Sequence, residues 1–294
     1  MSTSIPRVSI GLPIYNGENF LEETLNSLLA QTFTDFELII TDNASTDNTQ
    51  TICQGYAARD GRIRYYRNTE NLGASGNYNR AFELARGEYF KWAAHDDLLA
   101  PQFLEKTVAV LDANPDVVLC YGLTEAIDGN GNILRLYPAK PDAADPEPSK
   151  RFYEFVCVPH PCVSVFGLIR TNVLRQTRLI GNYTGSDRPL LSELSLRGRF
   201  YEIPEVLFYY RNHADQSWGE NASHHSQQAW YDPHRAGKIT FPHWRLLGEH
   251  LRSIRRAPLR FNDQVKCYLC MGWWARLHWK YLANNLIVRD VKYS

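Results

Sequence analysis

Five strand-like runs alternate with four helix-patterned segments across the first 125 residues, and this alternation limits the fold more than any other feature. The runs are RVSIGLPIY (7–15), DFELIITDN (35–43), RIRYYRN (62–68), EYFKWAAHDD (88–97) and VVLCYGL (117–123). The first two are continuous apolar runs and read as strands buried on both faces, and the other three read as strands. Between the first two, Leu21, Leu25, Leu28 and Leu29 recur at helical spacing, with Glu22 and Glu23 in an early turn. The later helical segments read as ending at Gly61 and Gly87, and one carries Pro101 in its first turn. Strands alternating with helices predict an α/β fold: a mostly parallel sheet flanked by helices.

In such sheets a ligand sits outside the carboxyl ends of the strands. Three polar clusters fall there: Pro13, Tyr15 and Asn16; Asp42 and Asn43; and His95, Asp96 and Asp97. Adjacent carboxylates repel, so Asp96 and Asp97 suit a hard divalent cation that also holds phosphate. Read alone, the same pair also fits a cap for the helix near Pro101.

The regularity weakens after a turn at DGNGN (128–132). PAKPDAADPEPSK (138–150) reads as a loop, PCVSVFGLIRTNVL as a strand entering a helix, and the segment from Gly185 as helix, strand and irregular chain. Residues 219–243 read as loop, and from Trp244 on as two or three basic, aromatic helices. Residues 1–234 hold 20 Lys/Arg against 29 Asp/Glu, whereas residues 235–294 hold 12 against 3. A basic tail of this kind meets an anionic surface or the acidic body of its own protein. Trp273, Trp274 and Trp279 lie in it among Arg276, His278 and Lys280. Packing onto the catalytic domain or into a homodimer is the first expectation for them, with peripheral membrane contact as the second. Cys267 and Cys270 have C-x-x-C spacing, yet buried thiols fit an aromatic helix better than zinc ligands do. With no basic n-region and no apolar run of membrane-spanning length, the expected location is cytoplasmic, with contact to the inner face of the membrane open.

The stretch VSIGLPIYNGENFLEETLNSLLAQTFTDFELIITDNASTDNT resembles the opening of family 2 glycosyltransferases of the GT-A fold. NLGASGNYNRAFELARGEYFKWAAHDD continues the likeness, with the aspartates at the family's metal-binding acidic motif. GSDRPLLSELSLRG resembles the later acidic segment that supplies the catalytic base, and YYRNHADQS its Tyr-Arg-x-His element. The likeness implies an inverting, metal-dependent hexosyltransferase in polysaccharide or other glycan biosynthesis, using a nucleoside-diphosphate sugar, a UDP-sugar first of all, and a glycan or lipid-linked acceptor. It implies a catalytic domain over 1–218, with a nucleotide half to about 125 and an acceptor half after it, then a helical extension over 219–294. Asp97, with His213, is then the ligand of Mn²⁺ or Mg²⁺, Asp96 faces the ribose or the metal's water shell, and Asp187 is the general base. Pro13, Tyr15, Asn16, Asp42, Asn43 and Asn77 would shape the donor pocket.

The chain departs from the family pattern in three places. Asn43 stands where many relatives carry Asp, so the base stays open, since an amide both donates and accepts. Ser186 stands where a Glu is common, and Ala94 where some relatives add a further Asp. Arg211 suits either a structural ion pair or a phosphate contact, and His224 and His225 an acceptor contact. A sugar nucleotidyltransferase is the main rival, but PIYNGENF is no Gly-rich, basic phosphate loop. A non-catalytic nucleotide- or carbohydrate-binding module is the other.

Overall fold

The computed structural model describes residues 5–137, 141, 143–213, 230–232 and 241–287. The first strands are β1 (Val8–Ile14), β2 (Phe36–Asp42), β3 (Ile63–Arg67) and β4 (Tyr89–Trp92). Then come β5 (Leu98–Leu99), β6 (Val117–Ile127), β7 (Ile133–Leu136), β8 (Leu168–Arg170) and β9 (Arg199–Arg211). They form one sheet in the order β3-β2-β1-β4-β8-β6-β9-β5, with β7 beside β6. β1 pairs in parallel with β2 and β4, β2 with β3, and β6 with β9. The short β8 lies antiparallel between β4 and β6, so those two still run in one direction. The expected mostly parallel α/β sheet is therefore present. All seven residues of β1 and of β2 are buried, because helices cover both faces.

The covering helices are α1 (Leu21–Leu29), α2 (Thr49–Ala57), α3 (Gly73–Glu83), α4 (Phe103–Ala113), α5 (Pro148–Cys157), α6 (Thr171–Leu174) and α7 (Asp187–Arg197). Two end earlier than glycine placement suggests, at Ala57 and Glu83 rather than Gly61 and Gly87. Gly87 instead permits a close approach to β1, where a Cβ would sit 2.6 Å from the backbone nitrogen of Ser9. Pro101 lies just before Gln102, the N-cap of α4. β6 runs through position 125 and pairs with β9 from Val117 to Ile127, so one sheet carries both halves of the expected catalytic domain.

The tail forms three helices, α8 (Pro242–Arg256), α9 (Phe261–Leu277) and α10 (Trp279–Ile287). One core joins Cys267, Met271 and Trp274 to Ile254, Phe152 and Leu196, which fastens the tail to α5 and α7. Trp274 is thus buried by packing, as first expected, while Trp273 and Trp279 are exposed. All six cysteines are free thiols, with Cys157 Sγ and Cys270 Sγ 3.6 Å apart. Among the described residues no helix is long and apolar enough to cross a membrane. His224, His225 and most of the 219–243 segment lie outside the described residues.

Candidate active site

Because β1, β2, β4 and β9 share a direction, their carboxyl ends bring the polar clusters to one rim. β4 ends at Trp92, and the five residues Ala93 to Asp97 leave the sheet before β5 begins. The Thr24 hydroxyl of α1 pins this crossing, donating to the carbonyls of His95 at 2.8 Å and Asp97 at 3.0 Å.

Asp97 is buried, and its Oδ1 accepts the backbone N–H of Arg211 at 2.9 Å. Its Oδ2 has no hydrogen-bond partner among the described residues. Burial, and then the neighbouring charge of Asp96, push the Asp97 carboxyl well above the ordinary range. Asp96 goes the other way. Burial acts to raise it, but the hydrogen bond with His213 Nε2 at 3.0 Å and the charge of His95 hold it below. With Nε2–H assigned as the donor to Asp96, the other ring nitrogen of His213, Nδ1, is buried and unpartnered among the described residues.

Arg211 resolves to the structural side of the two roles open for it. Its side chain is fully buried, donating to the carbonyls of Asp96 at 2.8 Å and Gly129 at 3.1 Å and to Glu23 Oε2 at 2.7 Å. The guanidinium also lies 4.6 Å from the centre of the Phe20 ring.

Asp187 is the first residue of α7, after the left-handed Gly185 (φ +76). Neither it nor Ser186 caps the helix through its side chain, beyond a 3.0 Å bond from the Arg188 N–H to Asp187 Oδ1. Asp96, Asp97 and Asp187 border one cavity of about 380 Å³. Its walls include Tyr78, Cys162, Phe166, Tyr210 and Tyr231, with Arg188 beside Asp187. Burial and the Asp187 charge raise the Cys162 thiol well above its usual range. Sequence reading missed these walls. Arg188 was visible beside Asp187, but the aromatic residues come from four separate parts of the chain and carry no local signal.

The remaining donor-site candidates lie at the same rim but do not border this cavity. Tyr15 and Asn16 are exposed, and Pro13 is buried behind them. Asn16 is held at φ +51, its Oδ1 accepting the Thr46 N–H at 2.8 Å. Asp42 is fully buried and accepts from Tyr65 at 2.6 Å, Arg67 at 2.6 Å and the Ser45 N–H at 2.8 Å. Those bonds outweigh the effect of burial and hold its carboxyl below the usual range. Asn43 donates to Asn71 Oδ1 at 2.7 Å and accepts the Leu72 N–H at 2.9 Å. Asn77 donates to the carbonyl of Thr41 at 2.8 Å and accepts from Asn68 at 3.0 Å. An aspartate at position 43 supplies no donor for Asn71, which explains the amide there.

The donor set fits a divalent cation in part. A buried carboxylate oxygen without a proton donor matches a hard cation, and a histidine that donates to a carboxylate while keeping its other nitrogen free matches a ligand with its supporting partner. His213 does not border the cavity, and the described residues contain no cluster of three or more His, Cys, Asp or Glu of metal-binding size. A cation there would need the rest of its ligands from phosphate oxygens and water.

The family described as glycosyl transferase family 2 matches residues 9–177. An uncharacterized glycosyltransferase of Rickettsia conorii is 40% identical over 141 residues, which are 47% of this chain but 22% of that protein. The corresponding protein of Methanocaldococcus jannaschii is 33% identical over 178 residues, 60% of this chain and 61% of its own length. The chain thus spans less than two thirds of the length of each of these relatives. Among solved structures, S. aureus TarS residues 1–349 in complex with UDP superposes with a TM-score of 0.68 at 17% identity, over 97% of this chain and 75% of that one. The mannosyltransferase PcManGT from Pyrobaculum calidifontis, in complex with GDP-Man and Mn²⁺, gives 0.52 at 17%, over 98% and 86%. At these identities the likeness to both is one of fold.

Proposed function

Because the chain belongs to glycosyl transferase family 2, we propose that it moves a sugar from a nucleoside-diphosphate sugar to an acceptor hydroxyl of a glycan or lipid-linked glycan. One observation carries this reading: the unpartnered oxygen of Asp97 belongs to a residue that borders the same cavity as Asp187. A charge-holding carboxylate and a basic carboxylate around one space are what an inverting displacement needs.

Asp187 takes the proton of the acceptor hydroxyl as that oxygen attacks the anomeric carbon. The bond from carbon to diphosphate breaks on the opposite face, so one displacement inverts the centre. The proton ends on Asp187 and the electron pair on the leaving diphosphate. Asp97 and His213 would hold Mn²⁺ or Mg²⁺, which supplies positive charge for that leaving group. Asp96 keeps the His213 ring oriented through its hydrogen bond. Tyr15 and Asn16 face the nucleoside, while Pro13, Asp42, Asn43 and Asn77 fix the strand ends that carry them. The nucleotide half, acceptor half and helical extension of the sequence reading are kept as the functional division. UDP, UDP-GlcNAc and GDP-Man are bound by structural neighbours, which supports a nucleotide-sugar donor of undecided base.

A thermal-shift panel of UDP, GDP, CDP and dTDP, each with and without Mn²⁺, tests the donor site. A metal-dependent rise with one nucleotide, lost in Asp97→Asn, is the expected result. No rise with any nucleotide overturns the donor assignment.

A further inference from the structure

From Cys267 to Ala275 α9 is apolar on nearly all sides, yet among the described residues only one side of it is buried. Cys267, Met271 and Trp274 face the core shared with α5 and α7. On the other side Phe261, Val265, Leu269, Trp273 and Leu277 follow one another at intervals of four, each between 39% and 76% exposed. At 1.5 Å per residue this ridge is about 24 Å long. A helix apolar all round belongs in a core or against lipid.

The charge around the ridge bears on what covers it. Residues 251–287 hold seven Arg/Lys and one acidic residue, Asp263. Asp145, Glu147 and Glu154 share a groove with Leu269 and Trp273, where Lys150 and Lys266 pair with Asp145 and Glu147. Arg255, Arg260, Arg276 and Lys280 are exposed and make no ion pair among the described residues. The Arg276 guanidinium lies 5.4 Å from the centre of the Trp273 ring, and the Lys280 ammonium 5.9 Å from that of Trp279. Aromatic rings paired with cations, beside an aliphatic ridge, match the boundary between acyl chains and headgroups. A two-fold dimer through the same ridge brings like cations together across the interface.

We infer that the exposed face of α9, with the start of α10, docks on the surface of an anionic phospholipid bilayer. The ridge enters the headgroup layer without spanning it, and the cations meet lipid phosphates. This contact is independent of the reading of the active site.

Flotation of the full chain with vesicles of phosphatidylcholine alone, or with phosphatidylglycerol at three parts in ten, tests it. The protein is expected to float with the anionic vesicles at low salt, at least tenfold more than with neutral ones, and to be released at high salt. Leu269→Ser with Trp273→Ser, and separately Arg276→Glu with Lys280→Glu, should each cut binding about tenfold. These positions are exposed, and an unchanged melting temperature confirms that the variants fold. Failure of the wild-type chain to float overturns the inference, as does equal flotation of the variants. A dimer by light scattering that Leu269→Ser dissolves, without lipid binding, assigns the ridge to a second copy of the chain instead.

Discussion

Arg211 donates its backbone N–H to Asp97 Oδ1 at 2.9 Å while its guanidinium holds the carbonyl of Asp96 at 2.8 Å. One residue from the end of β9 thus fixes the carboxylate of Asp97 and the backbone of Asp96. The guanidinium is spent on this and on Gly129 and Glu23, and none of it is exposed. Arg211→Met leaves the buried carbonyls without donors and should cost about 3 kcal/mol in denaturant unfolding. Arg211→Lys should recover less than half of that loss, since the three donors of an ammonium leave one nitrogen and cannot reach acceptors set around Nε and both terminal nitrogens of a guanidinium. Full recovery by lysine contradicts the positioning role.

Asp97→Asn separates function from stability. The folded carboxyl titrates above its unfolded value, so between the two values the folded state holds a proton that the unfolded state has lost. Stability of the wild-type protein therefore falls as pH rises through that window. The asparagine variant should be the more stable of the two at pH 7, while losing the metal-dependent nucleotide shift. Unfolding curves at pH 4 and pH 7, with the gap widening at the higher pH, check this.

Asp187→Asn should lower kcat about 10²- to 10⁴-fold, the usual worth of a general base, and leave nucleotide binding unchanged. Isothermal titration of the nucleotide beside a transfer assay reads both. An equal fall in nucleotide affinity moves Asp187 out of the role of base.

Lys91 gives a second pH signature. Its ammonium is fully buried, donating to the carbonyls of Trp92 at 3.0 Å and Phe166 at 2.6 Å, with the Phe103 ring 4.7 Å away. Burial pulls it from 10.5 down to about 7. Between these values the unfolded chain holds a proton that the folded protein does not, so stability rises with pH. Relative to Lys91→Met, the wild-type protein should gain about 1.4 kcal/mol per pH unit from near 7 towards 10. A flat difference would mean that the lysine stays charged in the core.

Asn43→Asp removes the donor to Asn71 and sets a carboxylate against its amide oxygen. The expected loss is about 1–3 kcal/mol. If the variant is as stable as the parent, the internal network is not what selects the amide.

What the sequence made legible follows from how local each signal is. β1 and β2 stood out because burial on both faces demands unbroken apolar runs. The rim position of Asp42, Asp96 and Asp97 followed from strand direction alone. Glycine misled at 87, because a helix stop and a close backbone approach select the same residue, and there the contact is with Ser9; Gly61 has open space around it. The inward turn of Asn43 and Asn77 depends on partners such as Asn68 and Asn71, whose direction no periodicity reveals. Tyr78, Tyr210 and Tyr231 meet around the cavity only through the fold. Trp273, Trp274 and Trp279 looked alike as letters, yet one is core and two are surface.

The bond from Arg211 to Asp97 spans 114 positions of chain. The matched family segment stops at residue 177, before β9 begins. A polypeptide cut there lacks the strand that pairs with β6 along its whole length, and its acidic pair lacks the clamp that orients it. During synthesis the loop after β4 leaves the ribosome long before its anchor, so the acidic pair gains its clamp late, once Arg211 has emerged and β9 has closed against β6. Until then the nascent chain carries two adjacent carboxylates without a fixed arrangement, and an early release at that stage yields a sheet with no working site.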